Sequence, residues 1–423
     1  MHLDRVADRE QFFAKMRCAL DEIGTFYAFE RITLSPLEDG RQFLPLAKSG
    51  FCEERLPFIC KTKSGDAIAL RMSFPLSIAR AYMNHKMYDL QHPLKLFTEG
   101  ENFFIIPGSA LLQSSDEMTF AFLGEEAPVA EAEIMQVAWK AIEKAGVRME
   151  SARFRVNATG CMECRSGFRA AFMAYLRSRA ARLCKNCKRL LKQAPTKILW
   201  CQEEKCAMIG THAPQILDFL CDVCKKHLRG LLEFLDEVRV PYFLDPKLFR
   251  EGSWYGRIIF ECVYDAKPEN TDRSIATTNV LTLVDGGRVS RAVELMTGKR
   301  VEMVSGNVFF EAIEQAVFGS GQTRASDRAP VFLVQIGDLA KRKSLAMLEV
   351  LREAGIDSRE SLGKDSIKIQ LRVAERLGAR VVLIIGQKEA LDDTVIVREM
   401  DSGIQETLPQ DKLIEFLKRK LNK

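Results

Sequence analysis

Four cysteine pairs crowded between Cys161 and Cys224 constrain this chain more than any other feature, because they tie separate turns to common points. Eight of the 12 cysteines fall there, as Cys161-x2-Cys164, Cys184-x2-Cys187, Cys201-x4-Cys206 and Cys221-x2-Cys224. The opening Met1-His-Leu-Asp-Arg-Val-Ala-Asp-Arg-Glu10 is too charged for a signal peptide. No apolar run approaches the roughly 18 to 20 residues of a membrane-spanning helix. A cytoplasmic, reducing location is therefore expected, where closely spaced thiols read as metal ligands rather than disulfides. Tetrahedral Zn²⁺ takes four thiolates, and each Cys-x2-Cys turn offers two from one loop. This spacing assigns one structural zinc to Cys161, Cys164, Cys184 and Cys187 and a second to Cys201, Cys206, Cys221 and Cys224, with reduced, metal-free packed thiols as the alternative. His212 and His227 are alternative ligands for the second site but read first as surface or capping residues, and Cys18, Cys52, Cys60 and Cys262 as small core residues.

The same segment is basic. The chain has 423 residues, 47% of them hydrophobic and 28% charged, which is ordinary for a globular protein with two or three cores. Its net charge of +5 is unevenly placed: Cys161 to Gly230 holds 14 Lys plus Arg against 5 Asp plus Glu. Such density suits phosphate, since nucleic-acid affinity comes largely from Lys and Arg displacing counterions. Lys185, Lys188 and Arg189 are the candidate contacts. A solvated, lysine-rich helical face is the bland alternative.

Period and breakers organise the rest. Residues 9–24 carry helical spacing and end at Gly24, and 26–34 reads as a strand stopped by Pro36. Strands are expected at 66–73, 93–98, 118–123, 258–264, 277–284 and 301–304, and helices at 75–85, 128–145 and 308–318. Helices at 165–194 and 214–238 interrupt them. This order predicts an α+β unit over 1–318, an antiparallel sheet with a helical insertion at 157–238. Residues 319–329 lack apolar period and read as a linker. Beyond it, 330–423 alternates strands at 331–336, 381–385 and 394–400 with helices at 340–354, 367–377 and 412–421, a small α/β unit.

The run Gly363-Lys-Asp-Ser-Ile-Lys-Ile-Gln-Leu-Arg-Val-Ala-Glu-Arg-Leu-Gly378, with Val381-Val-Leu-Ile-Ile-Gly386, closely resembles the anticodon-binding domain of bacterial histidyl-tRNA synthetases, which are class II aminoacyl-tRNA synthetases. Pro36, Gly65-Asp-Ala-Ile-Ala-Leu-Arg71, Ala79-Arg-Ala-Tyr-Met83, Pro93-Leu-Lys-Leu96 and Ala130-Glu-Ala-Glu133 extend the likeness over essentially the whole chain. The insertion is similar too, down to its cysteine pairs. The resemblance implies a homodimer, an antiparallel catalytic sheet, an insertion near the acceptor arm of tRNA, and a C-terminal anticodon reader. Lys368, Gln370, Arg372 and Gln387 are the reader's candidate RNA contacts.

The catalytic signatures depart from that family. Where the family places an acid for the substrate's ammonium, this chain has Ser73. Phe104 stands at a phosphate-binding arginine, Ile106 at an acid and Ala312 at the γ-phosphate arginine, and Gly-Gly-Arg-Tyr-Asp becomes Gly286-Gly-Arg-Val-Ser290. Each charged contact in a closed site is worth roughly 3 kcal/mol, so losing two arginines predicts adenylation reduced by at least about 10⁴. Asp245-Pro-Lys-Leu-Phe-Arg-Glu-Gly-Ser-Trp-Tyr-Gly-Arg-Ile-Ile-Phe-Glu261 keeps Arg250 and Tyr255 of the histidine signature, as working or relic groups. ATP and Mg²⁺ are not expected as ligands. Three readings follow: a catalytically impaired family member that binds tRNA or a tRNA-like RNA; a divergent working ligase, with Lys95 and Arg288 as substitute phosphate ligands; or a regulator of a partner enzyme, as in histidine biosynthesis.

Overall fold

The computed structural model describes residues 7–43, 55–106, 109, 111–249, 255–265, 280–319, 330–361 and 366–421. Two compact units divide the chain, residues 1–322 and 323–423.

The first unit is built on a nine-stranded sheet. Its order is Glu30–Arg31, Leu94–Ile105, Leu112–Leu123, Met303–Phe309, Val280–Arg288, Gly256–Asp265, Ala152–Gly160 and Tyr242–Leu244, with Leu56–Pro57 also beside Leu94–Ile105. Pairing is antiparallel except where Glu30–Arg31 and Tyr242–Leu244 join their neighbours. The long hairpin runs in register from Leu94 opposite Leu123 to Ile105 opposite Leu112. Its alternating apolar residues meet helix Val129–Lys144, whose Ile134, Met135, Val137 and Ala138 are buried with Phe120, Phe154 and Phe260 in one core. That burial over a large apolar face is what holds the sheet against its helices. The expected α+β class with a cysteine-rich helical insertion is what forms.

Local departures have physical causes. The first helix runs from Ala7 to Phe26, so the strand expected at 26–34 shrinks to Glu30–Arg31. The expected helix at 165–194 breaks into Met162–Ser178, a 3₁₀ turn at Ala180–Arg182 and Lys185–Gln193, because Cys184 turns extended and caps a new helix. Strand Ala152–Gly160 was not expected from the sequence. Its alternation of Phe154, Val156 and Ala158 with Arg153, Arg155 and Asn157 fits a strand, but Arg155 and Asn157 are engaged inside the fold rather than in solvent. The insertion occupies the connection between this strand and Tyr242–Leu244.

The second unit is a five-stranded sheet ordered Ser358–Glu360, Val331–Gln335, Val381–Ile385, Thr394–Glu399 and Gln405–Pro409, packed with helices Asp338–Glu353, Ile367–Arg376 and Leu413–Leu421. The first and last of these strands are short or exposed edges that carry little hydrophobic signal. The expected linker at 319–329 lies outside the described residues apart from Gly319. No described helix is long and apolar enough to cross a membrane.

Candidate functional site

All eight paired cysteines converge, but in a different grouping from the one their spacing suggests. Cys161, Cys164, Cys221 and Cys224 form one set and Cys184, Cys187, Cys201 and Cys206 another, with every Sγ in a set within 4.8 Å of the others. The second set is nested in sequence inside the first. Sequence spacing pairs Cys161-x2-Cys164 with Cys184-x2-Cys187; the fold instead runs helix Met162–Ser178 away from the first knuckle and returns helix Asp222–Glu237 to it. Cys161, Cys184 and Cys221 each cap a helix, and each Cys-x2-Cys places one half-exposed and one buried thiol.

Four thiols at tetrahedral Zn²⁺ with bonds of about 2.3 Å stand about 3.8 Å apart, and the Cys161 and Cys164 sulfurs are 3.4 Å apart. Backbone N–H groups support the thiolates: Cys221 donates to Cys164 Sγ at 3.2 Å, Cys184 to Cys206 Sγ at 3.2 Å and Cys187 to Cys184 Sγ at 3.4 Å. The N–H of Cys187 pulls the Cys184 thiol down to about 7. At Cys161 burial pushes upward, yet the Cys164 N–H and its neighbours outweigh it and leave the thiol at about 7. Burial drives Cys164, Cys187, Cys206 and Cys224 upward. A metal ion at each centre would supply the charge that lets all four thiols ionise together. Gly160 makes the approach possible: it sits at φ +65°, and a Cβ there would lie 2.6 Å from the Cys164 Cβ. Of the isolated cysteines, Cys262 is buried, Cys18 and Cys60 are exposed rather than in the core, and Cys52 lies outside the described residues. His212 caps helix Glu204–Thr211 at the surface as expected, whereas His227 is buried against Glu131 at 2.9 Å.

Lys185, Lys188 and Arg189 are exposed on helix Lys185–Gln193, directly after the Cys184 cap. In the second unit Lys368, Arg372 and Gln387 are exposed as well. Gln370 is not. It is fully buried, where its Nε2 donates to the Gln335 carbonyl at 2.8 Å and its Oε1 accepts from the Gln335 N–H at 3.1 Å, clamping helix Ile367–Arg376 to strand Val331–Gln335. Helical period places it on the inner face, so it holds the unit together rather than reading a base.

On the sheet, described polar groups at and around the signature positions bond within the first unit. Arg71 donates to the Leu34 carbonyl at 2.9 Å and the Glu101 carbonyl at 2.7 Å, and Ser73 stands at the N-cap position of helix Phe74–Asn84 without a side-chain capping bond. Phe104 packs with Phe43, Ala69, Met72, Leu76 and Ala292. Tyr255 is buried, and its hydroxyl donates to Asp285 Oδ1 at 3.4 Å; Asn307 Nδ2 donates to the same Asp285 atom at 2.7 Å, and Thr119 donates to Asn307 Oδ1 at 2.8 Å. Arg250, Glu251, Ser253 and Trp254 lie outside the described residues. Neither substitute phosphate ligand expected from the sequence is free. Lys95 bonds Glu133, and Arg288, 2% exposed, forks onto Glu131 at 2.9 and 2.8 Å and reaches Glu302 at 2.9 Å. Burial works against the Glu131 charge, but His227 and Arg288 overcome it and hold this carboxyl below its usual range. One cation in the cleft escapes sequence reasoning: Arg55 stands 4.2 Å over the Phe104 ring and bonds Glu117 at 2.8 Å. No motif marks it, since its partners come from strands far along the chain.

Residues 331–420 match the family described as Anticodon binding domain. The histidine–tRNA ligase of Halothermothrix orenii is 30% identical over 369 residues, spanning 86% of this chain and 85% of the relative. That of Dehalococcoides mccartyi strain 195 is 28% identical over 423 residues, 99% of this chain and 98% of the relative. Among solved structures, apo Staphylococcus aureus histidyl-tRNA synthetase superimposes with a TM-score of 0.74 at 24% identity, covering 98% of this chain and 97% of that one. A Bacillus halodurans protein described as an ATP phosphoribosyltransferase regulatory subunit/histidyl-tRNA synthetase gives 0.62 at 13% identity, over 90% and 96%. These last two likenesses establish fold. With the ligase relative matched across most of both sequences, the chain belongs to the histidine–tRNA ligase family.

Proposed function

We propose that this chain is a catalytically impaired member of its family that holds tRNA or a tRNA-like RNA. Lys185, Lys188 and Arg189 of the insertion supply phosphate contacts, and Lys368, Arg372 and Gln387 supply the anticodon side. One observation carries the reading: polar side chains of the cleft bond one another while Lys185, Lys188 and Arg189 of the insertion stay exposed. The two tetrathiol centres are read as structural Zn²⁺ sites, holding the basic helices in place without taking part in chemistry. The protein is further read as a cytoplasmic homodimer, whose dimer also offers a surface to a protein partner.

A working ligase is the second reading, favoured by the names of the relatives and by the retained Tyr255. Histidine-dependent ATP–pyrophosphate exchange, run beside a tRNA filter-binding assay, separates the two. Binding without exchange is the expected result; exchange at an ordinary synthetase rate establishes the second.

A further inference from the structure

Where Phe104 stands, the first unit is built to hold a cation. Phe104 and Phe309 flank the Arg55 guanidinium with their ring centres 4.2 and 5.8 Å away. Glu117, almost fully buried, accepts from Arg55 Nη1 at 2.8 Å. That carboxylate is itself fixed by Asn102 Nδ2 at 2.8 Å and by the Ser115 hydroxyl. Burial opposes the charge on Arg55, and Glu117, with Asp285 and Tyr255 behind it, more than compensates and keeps the guanidinium charged. Two aromatic faces and a desolvated, pre-oriented carboxylate are the elements of cation recognition. The same carboxylates repel triphosphate.

We infer that this cleft is a binding site for guanidinium-type cations, occupied in the described state by the chain's own Arg55. The inference rests on the reading that nucleotide chemistry has been lost from the cleft. Phe104 then has a role beyond deleting an arginine: it supplies the ring on which the replacement cation lies. Glu117 sets the charge preference, and Arg55, at the start of the short strand Leu56–Pro57 on the sheet's edge, is the tethered ligand.

The test is chemical rescue. Arg55→Ala removes the tethered cation and leaves the rings and carboxylates. Methylguanidinium is expected to bind this variant and restore most of its lost melting temperature, while urea, neutral and of similar shape, restores none. Wild-type protein binds methylguanidinium at least about tenfold more weakly, because Arg55 fills the site, and adding Glu117→Gln to Arg55→Ala weakens binding by at least about tenfold. If Arg55→Ala fails to fold alone, refolding it with methylguanidinium or with urea gives the same readout, and recovery with the guanidinium alone supports the site. Equal rescue by urea, or rescue by neither, overturns the inference, as does methylguanidinium binding that ignores Glu117. MgATP binding to Arg55→Ala would show a nucleotide site under a lid and also overturn it. Failure of the impaired-ligase reading is recognised separately, by pyrophosphate exchange in the unmodified protein.

Discussion

In the insertion, eight thiols turn inward as two sets of four around points where an ion fits, and Lys185, Lys188 and Arg189 beside them face solvent. In the cleft, described side chains of the first unit meet one another: Arg55 with Glu117, Asn307 with Asp285, Lys95 with Glu133. Both regions are dense in polar groups. The difference lies in what completes their hydrogen bonding. Buried polar groups require partners, and a site maintained for a ligand keeps some of that demand for the ligand, whereas a site released from that constraint satisfies it internally.

The largest effect tests the insertion's side of this contrast. Zinc in small thiolate sites is worth about 10 to 16 kcal/mol at neutral pH, so each centre should retain its ion through purification. Elemental analysis should find two zinc ions per chain. Cys164→Ser should remove one and Cys187→Ser one, and the double variant should lose both, since Cys164 and Cys187 belong to different centres. A double variant that still holds one ion would restore the grouping that spacing alone suggests. Less than half a zinc per chain in protein purified without chelator would remove both centres.

On the cleft's side, exchange should be undetectable, a loss of at least about 10⁴. Phe104→Arg alone should not recover it, because Ser73 and Ala312 still leave the ammonium and γ-phosphate without partners. Exchange within about tenfold of a typical turnover of 1 to 10³ per second, in either protein, would mean that the cleft rearranges to admit ATP.

How much of this was legible in the sequence differs by region for the same reason. Cys161 and its seven companions announce metal ligation by residue type, but their grouping depends on where helices Met162–Ser178 and Asp222–Glu237 travel, and spacing is blind to that. The strands of the second unit were legible where both faces are apolar, as in Val381–Ile385, and invisible at its exposed edges. Arg288 and Gln370 were assigned functional roles because both are polar and stand in family motifs. Each proved to be a buried fastener, Arg288 on Glu131 and Gln370 on Gln335. Arg55 went unnoticed because a single arginine outside any motif acquires meaning only from the ring and carboxylate that the fold brings to it.

Removing one fastener gives a smaller effect. Glu131→Gln leaves Arg288 buried with half its neutralisation, a loss of about 3 kcal/mol measured by denaturant unfolding. Sign follows from the depressed carboxyl: Glu131 contributes stability above the ordinary carboxylate range near 4.5 and loses it as pH falls through its lower folded value. The gap between wild type and Glu131→Gln should therefore be widest at neutral pH and narrow in acid. A gap that widens in acid would mean that the Arg288 network is not what holds helix Val129–Lys144 to the sheet.

The smallest effect bears on whether the insertion's exposed cations are more than a solvated face. Each phosphate contact contributes about 0.9 to the slope of log affinity against log salt, so changing Lys185, Lys188 and Arg189 to Glu should flatten that slope by roughly 3 and weaken every tRNA by at least about tenfold near 150 mM salt. Gln387→Ala should do something different, shifting preference among tRNAs with the slope unchanged, because an amide contributes to base readout and not to counterion release. Neither change touches a cysteine, so zinc content provides the control that the fold survives. If the triple variant binds as before while retaining both metals, the lysines decorate the surface and the cleft and insertion are alike in having lost their ligands. If tRNA is not bound at about 50 mM salt by the unmodified protein, where electrostatic affinity is greatest, binding to a protein partner becomes the better account of what the insertion is for.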